Sequence, residues 1–349
     1  MIDIKLLEQL CLCNGISGDE GNVRNLIINE IKDCADDIKT DNLGNLIVFK
    51  KGKKSAKSKL MVSAHMDEVG LMVTDITSEG YLKFDEVGGI DRRVLPGKRV
   101  CVGRNGLNGV IGVKPIHLTN GDEKTAVPKM SDMYIDIGAE SREDALKYVN
   151  YGDGINFEGD FKINGKTVVT KALDDRFGCY VLINLIKSEP EYDMYFTFVV
   201  QEEVGLRGAR PAAFTVNPDF ALVIESTTAA DVAEVDASHQ VCNLSKGATV
   251  TVMDRATVYD KEMISAAFEL AEKNNIAVQY KRAVAGGNDS GAIHQSRGGV
   301  RTLAVSLPSR YIHAPSTAAN LDDCESVLKL AKVLSDYIAE QEVSSCGIC

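Results

Sequence analysis

Residues 171–205 read KALDDRFGCYVLINLIKSEPEYDMYFTFVVQEEVG. Asp174 and Asp175 open an apolar stretch with helical spacing over 175–187, and Asp oxygens are good caps for a helix start. Met194–Val200 is then a continuous apolar run, the pattern of a strand buried on both faces. It ends in the paired carboxylates Glu202 and Glu203. A helix leading into a strand buried on both sides is the repeating unit of a layered α/β domain.

The same alternation extends both ways. Downstream, the pattern predicts strands at Phe220–Ile224, Ala248–Met253 and Arg301–Ser306, with helices over Lys261–Lys273 and Asp322–Glu340. Upstream, residues 2–13 and 22–38 have helix-like apolar spacing. Ser17-Gly18-Asp19-Glu20 between them offers helix-start chemistry. Asn45–Phe49 and Lys59–Ala64 read as strands around the polar turn 50–58. The fold class is therefore α/β, a mixed sheet covered by helices on both faces.

Between these halves the texture changes. Residues 70–165 hold 15 of the chain's 30 glycines. Short β-like runs recur there, at 71–74, 81–84, 99–102, 110–113 and 133–137, with a helix around Ser141–Tyr148. Short strands with frequent Gly turns predict a small β-barrel-like unit. The expected organisation is a discontinuous domain of residues 1–68 and 163–349 with an inserted β-rich domain, 69–162.

Composition narrows the function. The chain has 349 residues, 39 Lys+Arg against 50 Asp+Glu, and a net charge of −11. An acidic chain without basic blocks is a poor nucleic-acid or anionic-membrane binder. No apolar run approaches the ~18 residues of a transmembrane helix. The beginning MIDIKLLEQL has no basic segment followed by an apolar one, so a cytoplasmic protein with reduced thiols is expected. The nine Cys are odd in number and scattered. Cys11 and Cys13 with Cys346 and Cys349 suit a four-thiolate zinc site; buried packing thiols are the alternative, and the reading for Cys179 and Cys242.

Five polar clusters follow predicted strands or open a predicted helix, and ligands bind α/β sheets at strand ends. In SAHMDE, Asp67 stands two residues after His65, where a carboxylate can hold the imidazole while its other nitrogen binds a metal. Asp174 and Asp175 form the second cluster, with helix capping as the plain alternative. Glu202 and Glu203 form the third; one can bind metal while the other serves as general base, or both are a solvated strand end. Glu225 ends the strand at Phe220, and His313 follows the strand at Arg301. Together these supply two imidazoles and several carboxylates, a donor set that suits two divalent ions of zinc, cobalt or manganese. His294 follows Gly287-Asn288-Asp289-Ser290-Gly291, a turn expected to line the same cleft, and His117 and His239 are placed on the surface. Arg255, Lys281, Arg282 and Arg310 are candidates for meeting an acidic substrate residue, but exposed basic residues are ordinary and none is assigned a role.

The ordered stretches SAHMDEVG, GGIDRRVLPGKRV, KALDDRFG, QEEVGLRGA, GGNDSGAIH and SRYIHAP resemble the M42 metallo-aminopeptidases, relatives of the tetrahedral, deblocking and glutamyl aminopeptidases. The likeness covers essentially the whole chain. It implies a zinc-peptidase-like catalytic domain that removes N-terminal residues from peptides. His65 and Glu225 would hold one metal, Glu203 and His313 the other. Asp174 would bridge the two, next to a cis peptide before Asp175. Glu202 would be the general base toward a metal-activated water, and Asp67 would orient His65. The family usually has Asp where this chain has Glu225. The β-rich insertion would serve dimerisation and assembly, giving a dimer or a dodecamer. Two competing functions are a cellulase-like glycosidase, for which the chain lacks Trp to stack sugars, and an inactive metal-binding assembly protein.

Overall fold

The computed structural model describes residues 1–122 and 124–342. Four strands, Met194–Val199, Leu60–His65, Phe220–Thr228 and Arg301–Arg310, run parallel and side by side. They form the centre of an 11-stranded mixed sheet. Leu46–Lys50 and Asp37–Thr40 extend it antiparallel on one flank. Thr317–Asn320, Thr167–Thr170 and Lys162–Asn164 extend it on the other. Ala248–Val250 pairs with Arg301–Arg310 and carries Val278–Tyr280.

Every residue of Leu60–His65 is buried. Because alternate side chains of a strand face opposite ways, both faces of the sheet are covered. The helix Leu173–Lys187 packs on the strands at Leu60 and Phe220, and against helices Ile4–Leu12, Gly21–Ile31 and Leu321–Glu340. The helices Ala209–Val216 and Ser290–Ile293 pack on each other and on central strands. No helix among the described residues is long and apolar enough to cross a membrane.

From Gly70 to Phe157 the chain leaves the sheet and closes a barrel. Its strand order is 70–76, 82–87, 134–136, 107–112, 99–102, 154–157. The barrel has a separate apolar core that includes Leu71, Val100, Ile111, Ile135 and Ile155. The chain rejoins the main sheet at Lys162.

Several elements differ from the sequence expectation. The helix expected over 22–38 stops at Ile31, where apolar spacing gives way to Lys32, Asp33 and Asp36; Asp37–Thr40 is an edge strand. The helix near Ser141 is only Arg142–Ala145, capped by the Ser141 hydroxyl. The strand at Ala248 ends at Val250. The helix after Thr170 begins at Leu173, with Asp174 and Asp175 off helical geometry and joined by a cis peptide. Cys11 is fully buried and its thiol is pushed up to about 12 by burial; Cys179 and Cys242 are buried too. Cys346 and Cys349 lie outside the described residues.

Candidate metal centre

The parallel strands end at one edge of the sheet, and each delivers a polar side chain there. His65 is the last residue of its strand. Glu202 and Glu203 follow Val199, Glu225 lies within Phe220–Thr228, and His313 follows Arg310. Asp174 arrives from the helix start. Ala172, Gln201 and His313 adopt left-handed backbone conformations at φ 52°, 56° and 57°. Such non-glycine conformations cluster where surrounding contacts hold a functional turn.

The seven residues singled out by the sequence converge. His65 Nε2 lies 3.4 Å from Asp174 Oδ1 and 3.4 Å from Glu225 Oε1. His313 Nε2 lies 3.3 Å from Asp174 Oδ2 and 3.3 Å from Glu203 Oε2. Asp174 thus turns one oxygen to each imidazole. The sets His65–Asp174–Glu225, Asp174–Glu203–His313 and His65–Glu202–Glu203 each gather ligand atoms within 4.8 Å of one another.

Asp67 fixes this arrangement from behind. Its backbone oxygen lies 3.0 Å from His65 Nδ1. A carbonyl only accepts, so Nδ1 carries the hydrogen and Nε2 faces the carboxylates. Its carboxylate lies 3.4 Å from Nδ1 and accepts from Ser17 Oγ at 2.5 Å, Glu202 N at 3.0 Å and Glu203 N at 3.1 Å. Glu20 accepts from the backbone of Gly18 and Gln201, bracing the same turn.

The electrostatics follow from crowding acids and imidazoles in a buried place. Burial, reinforced by Asp174, pushes Glu203 up to about 8, and burial and Asp174 do the same to Glu225, with His65 opposing. Burial also raises Glu202 well above the usual carboxylate range. For His313 burial acts downward, but Asp174 and Glu203 outweigh it and hold the imidazole at about 9. Asp174 is held low against its burial by the two imidazoles.

Asp175, beside Asp174, has a different role. It accepts from His65 N at 3.3 Å and Gly178 N at 3.0 Å. A Cβ on Gly178 would stand 2.3 Å from that carboxylate. Sequence reasoning did not assign Ser17 and Glu20 to the site, because both read as helix-start residues. Asp289 was not assigned either; it is buried with neither carboxylate oxygen hydrogen-bonded among the described residues, and burial pushes it up to about 7. Its signal was GGNDSG itself. The turn before His294 does line the cavity beside the cluster, through Gly287 and Asn288, whereas the His294 ring turns back, its Nδ1 2.7 Å from Ser290 O one helical turn earlier. His117 and His239 are exposed.

A cavity of about 130 Å³ adjoins the cluster, lined by Asp174, Glu202, Glu225 and His313 together with Lys281 and Asn288, among others.

The sequence profile described as M42 glutamyl aminopeptidase matches residues 44–330. A putative aminopeptidase of Acetivibrio thermocellus is 44% identical over 93% of this chain and 96% of its own length. A lysyl aminopeptidase of Pyrococcus furiosus is 33% identical over 97% and 98%. A glutamyl aminopeptidase of Lactococcus lactis is 32% identical over 88% of each. Among solved structures, a TET aminopeptidase from a marine sediment Thaumarchaeota archaeon superposes with a TM-score of 0.91 at 32% identity, covering 97% and 96%. The TET1 peptidase of Pyrococcus horikoshii, described as assembling into a tetrahedron or a large octahedral shell, has a TM-score of 0.84 at 38% identity, covering 97% and 99%. A Thermotoga maritima structure named endoglucanase has a TM-score of 0.80 at 38% identity, covering 95% and 97%.

Proposed function

The chain belongs to the M42 glutamyl aminopeptidase family, and from that premise we propose that it is a two-metal aminopeptidase acting on peptides with a free N-terminus. One observation carries the reading: the two oxygens of Asp174 face two separate His–carboxylate pairs. The donor chemistry fits divalent cations. Asp174 Oδ1 and Glu225 Oε2 are buried without a hydrogen-bond partner among the described residues, and buried carboxylate oxygens are stable only when paired or metal-bound.

His65, Glu225 and Asp174 would hold one ion, and His313, Glu203 and Asp174 the other. Imidazole with carboxylate suits zinc, cobalt or manganese. Glu225 reaches His65 as closely as Asp174 does, so the longer side chain still serves as a ligand. When bound, such a pair polarises a peptide carbonyl and brings a water's pKa toward neutrality. Glu202 takes the proton of the attacking water and returns one to the leaving amine. Asp67 keeps His65 and the Glu202–Glu203 turn in register. Carboxylates at the cavity mouth receive the substrate's α-ammonium group, which confines cleavage to the first residue. The protein works as a homo-oligomer, a dimer or a dodecamer; the Pyrococcus horikoshii relative's assembly supports this, and analytical ultracentrifugation decides between them.

Glu202→Gln tests the mechanism. Turnover of aminoacyl-p-nitroanilides is expected to fall by roughly 10²–10⁴, the usual contribution of a general base, while metal content stays at the wild-type value. A fully active Gln variant overturns the assignment. Chelation is expected to abolish turnover, and zinc, cobalt or manganese to restore it. Carboxymethylcellulose assayed alongside is expected to stay intact; its chelator-insensitive cleavage favours the glycosidase reading.

A further inference from the structure

Glu202 and Glu203 belong to a loop, residues 200–208, whose two ends meet. Gly208 N donates to Val200 O at 3.0 Å and Arg207 N to Gln201 O at 3.1 Å. Within the loop, Gly205 N and Leu206 N both donate to Glu202 O at 2.9 Å. Gln201 and Leu206 are each held at φ 56°. Left-handed backbone at non-glycine residues is strained and persists only where surrounding contacts impose it. Glu20 and Asp67 grip the first half of the loop, at the N–H groups of Gln201, Glu202 and Glu203. Neither touches the place where its ends close.

Asn45 does. It precedes the strand Leu46–Lys50, whose Leu46 pairs with Phe198, so its side chain meets the chain just past the end of Met194–Val199. Asn45 is fully buried. Its Oδ1 accepts from Val200 N at 2.9 Å, and its Nδ2 donates to Gly208 O at 2.9 Å. The amide cannot be reversed, because Val200 N only donates and the Gly208 carbonyl only accepts. Nδ2 also donates to Asp41 Oδ2 at 2.7 Å. Asp41 is itself fixed, its Oδ1 accepting from the N–H groups of Leu43, Gly44 and Asn45 at 3.0 Å each. Among the described residues, Asn45 is the one side chain hydrogen-bonded to both ends of the loop. The fit is close: a Cβ on Gly208 would stand 2.3 Å from Asn45 Oδ1 and 2.4 Å from Val200 O.

We propose that Asn45 is a positioning residue for the reaction: it ties Val200 to Gly208 and so sets where Glu202 and Glu203 stand against the two imidazoles, with Asp41 fixing the direction of its amide. The proposal rests on the two-metal aminopeptidase reading above. Asn45 acts only through the loop. Without its amide, Val200 N loses its acceptor and Gly208 O its donor in a buried place, and the ends of the loop part. The strain at Gln201 and Leu206 then relaxes, carrying Glu202 out of line with the attacking water and Glu203 away from His313, which it meets at 3.3 Å. A reacting group misplaced by about 1 Å loses on the order of 100-fold in rate.

The test compares Asn45→Ala and Asp41→Asn with wild type, as full-length, metal-loaded proteins. Asp41→Asn keeps an oxygen for the turn 43–45 but sets an amide donor against the Asn45 donor, so it loosens the tie without opening a cavity. The substrate is whichever of Leu-, Glu- and Lys-p-nitroanilide wild type cleaves fastest. Per folded, metal-loaded site, kcat is expected to fall about 10–100-fold in Asn45→Ala and less in Asp41→Asn, with KM within about threefold of wild type. A merely structural role would lower Tm and leave kcat per folded site unchanged. Hydrogen–deuterium exchange is read alongside. The amides of residues 201–208 are expected to exchange at least about tenfold faster in Asn45→Ala, while those of Leu60–His65 keep their protection. Wild-type kcat per folded site, or wild-type exchange over 201–208, overturns the proposal. Should Asn45→Ala not fold, Asp41→Asn decides on the same two readouts. If wild type cleaves none of the three substrates, the aminopeptidase reading has failed. Exchange and calorimetric zinc titration then decide Asn45 by themselves: faster exchange over 201–208 with zinc bound about tenfold more weakly supports the positioning role, and a wild-type value of either overturns it.

Discussion

Asp67 touches neither of the nitrogens that face the carboxylates, yet it connects more of the site than any single ligand. Its oxygens take the Ser17 hydroxyl and the backbone N–H groups of Glu202 and Glu203, and face His65 Nδ1. These contacts hold the carboxylate below its usual range although burial acts upward. Removing it frees the imidazole and the turn carrying the proposed base at once. Asp67→Ala is expected to weaken cation binding by about 10–100-fold, the usual effect of deleting a group that orients a ligand. Ser17→Ala is expected to act in the same direction more weakly, since its hydroxyl is one of several donors. Calorimetric titration with zinc measures both; unchanged affinity in Asp67→Ala contradicts the positioning role. The pairing of His65 with Asp67 was readable because the two stand two residues apart. The contribution of Ser17 was not, because nothing in a sequence reports a contact across fifty positions.

Among elements, the turn after Leu82–Val87 shows the barrel reaching the site. Gly88 has φ 86°, and a Cβ there would stand 2.8 Å from Val69 Cγ1 and 3.2 Å from Glu203 Cβ. Gly88→Val is therefore expected to lose kcat/KM at least about tenfold with a lower Tm, since both backbone strain and collision fall beside a proposed ligand; wild-type kinetics in this variant would contradict the packing. The strand Arg301–Arg310 carries His313 three residues past its end, and Arg310 is clamped on Asp231. Burial raises the Asp231 pKa, but Arg310 and the Leu244 N–H outweigh it, so the net shift is downward. A lowered carboxylate stabilises the fold above its unfolded pKa, ~3.9, and that stability is lost as pH falls through the folded value. Arg310→Met is expected to flatten the acid limb of Tm against pH below about 4; an acid limb as steep as wild type's contradicts it. Elements with long apolar runs, Met194–Val199 and Phe220–Thr228 among them, were legible because burial on both faces writes itself into composition. Short strands such as Thr167–Thr170 and Val278–Tyr280 were not, since their existence depends on partners distant in sequence. The paired carboxylates were legible as chemistry, and their convergence as a site came from the order of motifs.

At the scale of the whole molecule, two separate cores meet at one buried ionic knot. Glu68 lies where the strand Leu60–His65 leaves for the barrel. Its Oε1 accepts from Lys171 Nζ at 2.9 Å, Arg176 Nη2 at 3.3 Å and Gly15 N at 3.3 Å. Asn156, in a barrel strand, also accepts from Gly15 N, at 3.2 Å. The knot therefore ties the N-terminal segment, the barrel junction and the long helix into one body. Its cations are unequally provided for. Arg176 also donates to the carbonyls of Met66, Leu10, Cys13 and Gly15, whereas Lys171 has, among the described residues and beyond Glu68, only Asn14, at 2.8 Å. Breaking a buried pair by removing one member strands the other charge, at about 3–5 kcal/mol. Glu68→Gln is expected to lower the unfolding free energy by that amount in denaturant titration. Most of the loss falls on Lys171, so Glu68→Gln combined with Lys171→Met is expected to be less destabilised than the sum of the two single variants. A Glu68→Gln protein within about 1 kcal/mol of wild type, or single effects that simply add, contradicts the coupling between the sheet and the barrel through this residue.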